Sequence, residues 1–176
     1  MVGGSGFLGS HVCDQLSAEG YAVTIFDRCS SPWLREDQSF VEADILDVSA
    51  LRQAIAGCYA VYNFAAIADL DEAMKRPIDT VKVNVLGNTL VLDACREMGV
   101  SRFIYASTVY VNSREGGFYR CSKYAAEQIV EEYERQYGLS YTILRFGSLY
   151  GPRSDQHNGL WRIVKKAVET NIVEYD

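Results

Sequence analysis

Five short apolar runs, at residues 22–26, 40–42, 60–64, 102–106 and 141–146, alternate with longer amphipathic segments. That alternation confines the chain to an α/β fold with a mostly parallel sheet, because parallel strands need long crossovers and helices supply them. Apart from the short second run, the runs are apolar and β-branched, the composition of strands covered on both faces. The helices between them have readable ends. One runs from about Phe7 to Glu19 and stops at Gly20. A second starts at an Asp47 N-cap and stops at Gly57. A long third follows Pro77 and ends at Gly99, with Val81, Val85, Leu92 and Cys95 recurring at helical spacing toward the sheet. A fourth carries Tyr119 and ends at Gly138, and a last one covers 160–169.

At 176 residues the chain can bury one good core. A net charge of −6 without any Lys/Arg run argues against nucleic acid as a partner. The five cysteines (Cys13, Cys29, Cys58, Cys95, Cys121) form no C-x-x-C pair and read as free thiols of a reducing compartment. With only two histidines, no metal site is expected. No apolar run approaches the roughly 20 residues that span a bilayer, and no signal peptide opens the chain, so a cytoplasmic protein is expected.

Gly3, Gly6 and Gly9 stand at G-x-x-G-x-x-G spacing directly before the first helix. Such glycines permit a tight turn, and the helix N-terminus then offers free N–H groups to a pyrophosphate, although similar turns also serve as plain connections. Asp27 closes the first apolar run about 20 residues beyond the turn, where a carboxylate accepts from adenosine ribose hydroxyls, or else simply starts a turn. A carboxylate there repels a 2′-phosphate, which favours NAD over NADP, with Arg28 keeping NADP as the lesser option. Asp44 suits the adenine edge and a turn cap equally. In a doubly wound dinucleotide fold this turn follows the first, central strand. Only Met1 and Val2 precede it, so that strand is expected to be missing, and the segment at 171–176 is expected to begin another strand that stops short.

Tyr119 and Lys123 are four residues apart, one above the other on a helix face. A phenol with an ordinary pKa near 10 becomes a usable base when a cation and a helix N-terminus favour its phenolate. Ser107 or Thr108, at a strand end, supplies a hydroxyl to share a substrate proton. Spacing alone would also fit an ordinary exposed helix pair.

Taken in order, the segments GGSGFLGSHV, VEADILD, YNFAAIAD, VKVNVLGN, FIYAST, YRCSK and LRFGSLYGPR resemble the extended short-chain dehydrogenase/reductase family, specifically its NAD-dependent epimerase/dehydratase branch, over nearly the whole chain. The resemblance implies a Rossmann-like domain over 1–152 and the start of a substrate-binding region over 153–176, most of that lobe being absent. It implies cofactor contacts from Gly3, Gly6, Phe7, Leu8, Gly9, Asp27, Arg28, Asp44, Ile45, Ala65 and Ala66, with Asn84 supporting the site. It implies Tyr119 as acid/base, Lys123 holding the nicotinamide ribose while lowering the tyrosine pKa, and Thr108, or less readily Ser107, bonding the reacting hydroxyl. A homodimer through the tyrosine-bearing helix is also implied.

Val2 replaces a usual Thr, 109–118 is short with Gly116 and Gly117 in it, and the chain stops at Asp176. Val109 and Tyr110 follow Thr108, where dehydratases of the family carry an Asp-Glu pair, so dehydration is disfavoured. The leading expectation is a nucleotide-sugar epimerase working through a transient keto intermediate. The alternatives are a reductase of a keto-sugar or other small carbonyl, and a non-catalytic nucleotide-binding module. His11, Trp33, Trp161 and the acidic run at Glu131, Glu132 and Glu134 read as packing or surface residues, and His157 as part of a solvent loop.

Overall fold

The computed structural model describes residues 1–156 and 158–173. The expected loop position of His157 and the end of the expected last strand lie outside these residues. The chain divides into two units, Met1–Arg145 and Phe146–Asp176. The first begins with α1 (Phe7–Ala18), β1 (Val23–Asp27), β2 (Gln38–Glu42), α2 (Val48–Ile55) and β3 (Ala60–Asn63). It continues with α3 (Leu70–Lys75), α4 (Pro77–Val81), a π-helical segment (Lys82–Gly87), α5 (Asn88–Glu97), β4 (Arg102–Thr108), α6 (Gly117–Tyr137) and β5 (Tyr141–Phe146). β1 pairs with β2 and β3 with β4, both parallel, and β5 follows β4. This is the doubly wound, Rossmann-like α/β class that the alternation of runs and helices requires.

Two hydrogen-bonded sheets, β1-β2 and β3-β4-β5, are sewn together by the first residues of the chain. Val2 makes parallel bridges to Phe26 on one side and Asn63 on the other. Its N–H donates to Tyr62 O and its carbonyl accepts from Phe64 N, both at 2.8 Å. Phe26 N donates to Met1 O at 2.8 Å and Gly3 N to Phe26 O at 2.9 Å. Met1 and Val2 form no strand, yet they hold the central position from which the glycine turn leaves. One core packs α2, α5 and α6 against the sheet through Leu51, Val91, Leu92, Phe103, Tyr105, Ala126 and Val130. A smaller one seats Cys13 of α1 on Val23 and Ile25 of β1.

Three expectations need correction. The long helix from Pro77 to Gly99 is interrupted by the π segment, and Val81 is 51% exposed while Leu92 and Cys95 are fully buried. A π turn takes in an extra residue, so positions before it are rotated away from the face they would share in an unbroken α-helix. β5 has no buried residue, because it lies at the end of the β3-β4-β5 order and not between neighbours. Finally, α3 was not anticipated. Its signal was Asp69, whose side chain caps Glu72 N at 2.8 Å, in the Asp-x-x-Glu pattern of a helix start.

The second unit contains α7 (Gly159–Thr170), capped by Asn158, whose Oδ1 accepts from Trp161 N at 3.0 Å. Asn158 Nδ2 also donates to Leu149 O at 2.6 Å, tying the helix start to the preceding segment.

Candidate active site

The glycine turn is built by contacts that admit no side chain. Gly3 has φ +78°, and a Cβ there would lie 2.4 Å from Ala65 N. A Cβ on Gly9 would lie 2.2 Å from Gly3 O, so α1 can start directly beneath the turn only with glycine. Gly6 is the N-cap of α1; no side chain caps that end and no acidic residue occupies the first turn. The positive end of a twelve-residue helix is therefore left for an anion. Asp27, at the carboxyl end of β1, accepts from Ser5 N at 3.0 Å and from Cys29 N at 3.4 Å. It thus ties the strand end to the turn and starts a turn of its own.

A cleft opens beside this turn at the carboxyl ends of β1 and β3. Its place is where ligands sit on open parallel sheets. Of the residues expected to hold a dinucleotide, Gly3, Gly6, Asp27, Arg28, Asp44, Ile45, Ala65 and Ala66 line it. Asp44 also makes the turn of the other reading, accepting from Leu46 N at 2.9 Å. Phe7, Leu8 and Gly9 do not line the cleft; they form the first turn of α1. Phe26, Ala43, Phe64, Ile67 and Val83 line it without having been singled out. The uncapped helix end, the close-packed glycine turn and the carboxylate at the strand end all fit a dinucleotide.

Asn84 works from behind the cleft. It is 1% exposed, accepts from Ile67 N at 2.8 Å, and donates to Ile67 O at 3.0 Å and Ser122 Oγ at 2.9 Å. Ser122 Oγ in turn donates to Tyr119 O at 2.8 Å. The π segment thus fastens the loop after β3 to the first turns of α6. Ser122 was missed in the sequence, although it sits inside YRCSK.

Tyr119, Lys123 and Thr108 come together at the junction of α6 and the end of β4. Lys123 is 2% exposed; its Nζ donates to Ala106 O at 2.7 Å and lies 4.7 Å from the Tyr105 ring centre and 5.9 Å from that of Tyr119. Thr108 is buried and its Oγ1 accepts from Tyr110 N at 3.3 Å, in the 3₁₀ turn Val109–Asn112. Ser107 is also buried, and its hydroxyl has no hydrogen-bond partner. Burial pushes the Tyr119 phenol up to about 12, against the opposing effect of the Thr108 side chain. A lowered tyrosine was expected from Lys123; here burial prevails. Lys123 itself is pushed down to about 7 by burial, with Glu127 acting in the raising direction.

The Lys123 shift makes stability depend on pH with a definite sign. Unfolding returns the amine to its ordinary value near 10.4, so between pH 7 and that value the unfolded chain binds more protons. Stability therefore rises with pH above about 7, by at most about 1.4 kcal/mol per pH unit. Cys13 and Cys95, pushed up to about 11 and about 12 by burial, act oppositely above their ordinary range. The Met1 ammonium, lowered by burial, adds a rise of the same sense up to its ordinary value near 8, so in the window of about pH 7 to 8.5 the share of Lys123 is the part of the slope that its substitution removes. Urea unfolding across it should give a rising stability that is flatter in Lys123→Met; equal slopes would contradict the shift.

A parallel sheet with this glycine turn and a Thr/Tyr/Lys group at a strand end defines a protein of the short-chain dehydrogenase/reductase type. The profile of the NAD dependent epimerase/dehydratase family matches residues 1–174, and the chain belongs to that family of enzymes. A UDP-glucose 4-epimerase of Rhizobium leguminosarum bv. trifolii is 28% identical over 182 residues, covering 92% of this chain and 54% of the relative. The UDP-glucose 4-epimerase of Thermotoga maritima, solved with UDP-glucose, superposes with a TM-score of 0.87 at 30% identity, over 94% of this chain and 61% of that one. The Thermus thermophilus UDP-glucose 4-epimerase in complex with NAD gives 0.84 at 30% identity, over 94% and 60%. Matched relatives also include dTDP-glucose 4,6-dehydratases. The chain spans about half the length of the curated relatives it matches. No helix among the described residues is long and apolar enough to cross a membrane, and no cluster there could hold a metal ion.

Proposed function

We propose that this chain is the cofactor-binding and acid/base part of an NAD-dependent epimerase of a nucleotide-sugar. The observation that carries this reading is the grouping of Thr108, Tyr119 and Lys123 at one strand end with Val109 and Tyr110 following Thr108. Those two side chains cannot protonate a leaving hydroxyl and abstract a carbon-bound proton, as dehydration requires. Gly3, Gly6, Asp27, Ala65 and Ala66 would hold NAD, which when bound accepts a hydride and returns it. Asp27 favours NAD over NADP by repelling a 2′-phosphate. Tyr119 takes the proton of the reacting sugar hydroxyl, assisted by Thr108, and gives it back after the keto sugar has turned its other face. Lys123, as ammonium, favours the phenolate that this exchange needs.

The test incubates the full-length protein with UDP-glucose and NAD while sugar configuration is followed by NMR and NADH by absorbance. Inversion at one sugar carbon without net NADH is the expected result. Stoichiometric NADH turnover would favour a reductase, and a deoxy keto product a dehydratase; either one overturns the proposal.

A further inference from the structure

The inner face of α6 carries an acid that the proposed chemistry leaves unused. Glu127 is fully buried, and its carboxylate accepts from Arg145 Nε at 3.1 Å and Nη2 at 2.8 Å. The two partners are unequal: the Arg145 side chain is 44% exposed and that of Glu127 1%. A surface arginine can be paired without burying its acid, and burial of a carboxylate is costly even with a good partner. The arrangement therefore asks what else the charge faces. One helical turn earlier, on the same face, stands Lys123. Its Nζ has one hydrogen-bond acceptor, the neutral Ala106 carbonyl, and no carboxylate within ion-pair distance among the described residues.

We propose that Glu127 is a positioning residue of the candidate active site, whose carboxylate, anchored by Arg145, is the countercharge that keeps Lys123 an ammonium beside Tyr119. This rests on reading Tyr119 and Lys123 as the acid/base pair. Burial alone drives the amine toward neutrality, and Glu127 is the charge that opposes it. A neutral Lys123 could not favour a phenolate, so the supply of cation at neutral pH decides how well the pair works.

The other groups around Lys123 leave this role to Glu127. From β4 comes Tyr105, whose buried hydroxyl has no hydrogen-bond partner and is pushed well above its usual value by burial, so it stays uncharged. Tyr119, at about 12, is likewise neutral. On α3, α4 and the π segment, Asp71, Lys75 and Lys82 are exposed, while Glu72 and Asp79 are engaged by Arg76. On α5, Asp93 pairs with Arg96. Arg145 itself, on β5, has the sign that would discharge Lys123.

The experiment titrates the Lys123 side chain by NMR in the full-length protein labelled with ¹³C-lysine, its signal assigned by its loss in Lys123→Met. Glu127→Gln keeps the size and removes the charge; Glu127→Gln/Arg145→Gln removes both charges, so that no cation is left facing an amide and a folding defect of the single variant is bypassed. The midpoint should fall by about one pH unit or more in the single variant, a tenfold loss of proton affinity, and remain lowered in the double. An unchanged midpoint in Glu127→Gln overturns the proposal. So does a return to the wild-type midpoint in the double variant, which would assign the shift to Arg145. No substrate enters the measurement, so its failure is separable from that of the epimerase reading.

Discussion

Replacing Tyr119 by Phe is expected to lower turnover by roughly 10²–10⁴-fold, the usual worth of a positioned general acid/base. The substitution removes one oxygen from a half-buried side chain on a helix that Ser122, Ala126 and Val130 continue to anchor. The effect should therefore appear in kcat, with the protein still folded and the glycine-lined cleft, which Tyr119 does not line, intact. Steady-state kinetics on the full-length protein, with NAD affinity measured separately, separates these quantities. Wild-type kcat in the Phe variant would remove Tyr119 from the mechanism. The resting phenol stands near 12, so it must be brought down for catalysis. Its proton exchange with substrate depends on cations placed nearby, which is why the charge state of Lys123 matters beyond its own hydrogen bond.

The second large effect is expected at Gly3. Alanine there must accept φ +78° and place its Cβ at 2.4 Å from Ala65 N, 2.7 Å from Ala65 Cα and 2.8 Å from Phe64 C. All three are backbone atoms and none can swing aside. The left-handed backbone costs about 1–2 kcal/mol and the overpacking about 1–3 kcal/mol, so Gly3→Ala should destabilise by about 2–5 kcal/mol. Gly20 is the natural control. Its φ is +85°, yet a Cβ would meet nothing within 4 Å, so Gly20→Ala carries the backbone cost alone. Urea unfolding of the two variants measures the difference. Equal losses would mean that the turn does not press on the loop after β3 as closely as described.

Much of this fold was readable because its determinants are local. The glycine spacing, the Asp47 cap, the αL glycine at Gly138 and the four-residue step from Tyr119 to Lys123 each act within one turn of chain. What escaped depends on distant partners. Two residues, Met1 and Val2, are too few to register as a strand, but flanking strands complete their hydrogen bonds. The π segment has no compositional mark; it is defined by Asn84 reaching Ile67 and Ser122, and by Gly87, where a Cβ would press on Ile45 at 2.9 Å. Glu127 looked like any acid on a long charged helix. Only the sheet beneath α6 reveals that it is buried, and only β5 brings its arginine. The lowered tyrosine pKa was misjudged for the same reason. Spacing places a cation nearby, whereas burial, which the sequence does not display, sets the balance.

The sewing of the sheet by Met1, Val2 and Gly3 bears on how the cleft behaves mechanically. Asp27 and Asp44 belong to the β1-β2 side, Ala65 and Ala66 to the β3 side, and so the two walls stand on opposite banks of one narrow seam. Opening along that seam is opening of the cleft. A ligand that touches both banks adds a tie between them, beside the hydrogen bonds that Met1, Val2 and Gly3 make to the flanking strands. Occupancy is thus a brace laid across the sheet, because a ligand that fills the cleft touches the β1-β2 side and the β3 side together.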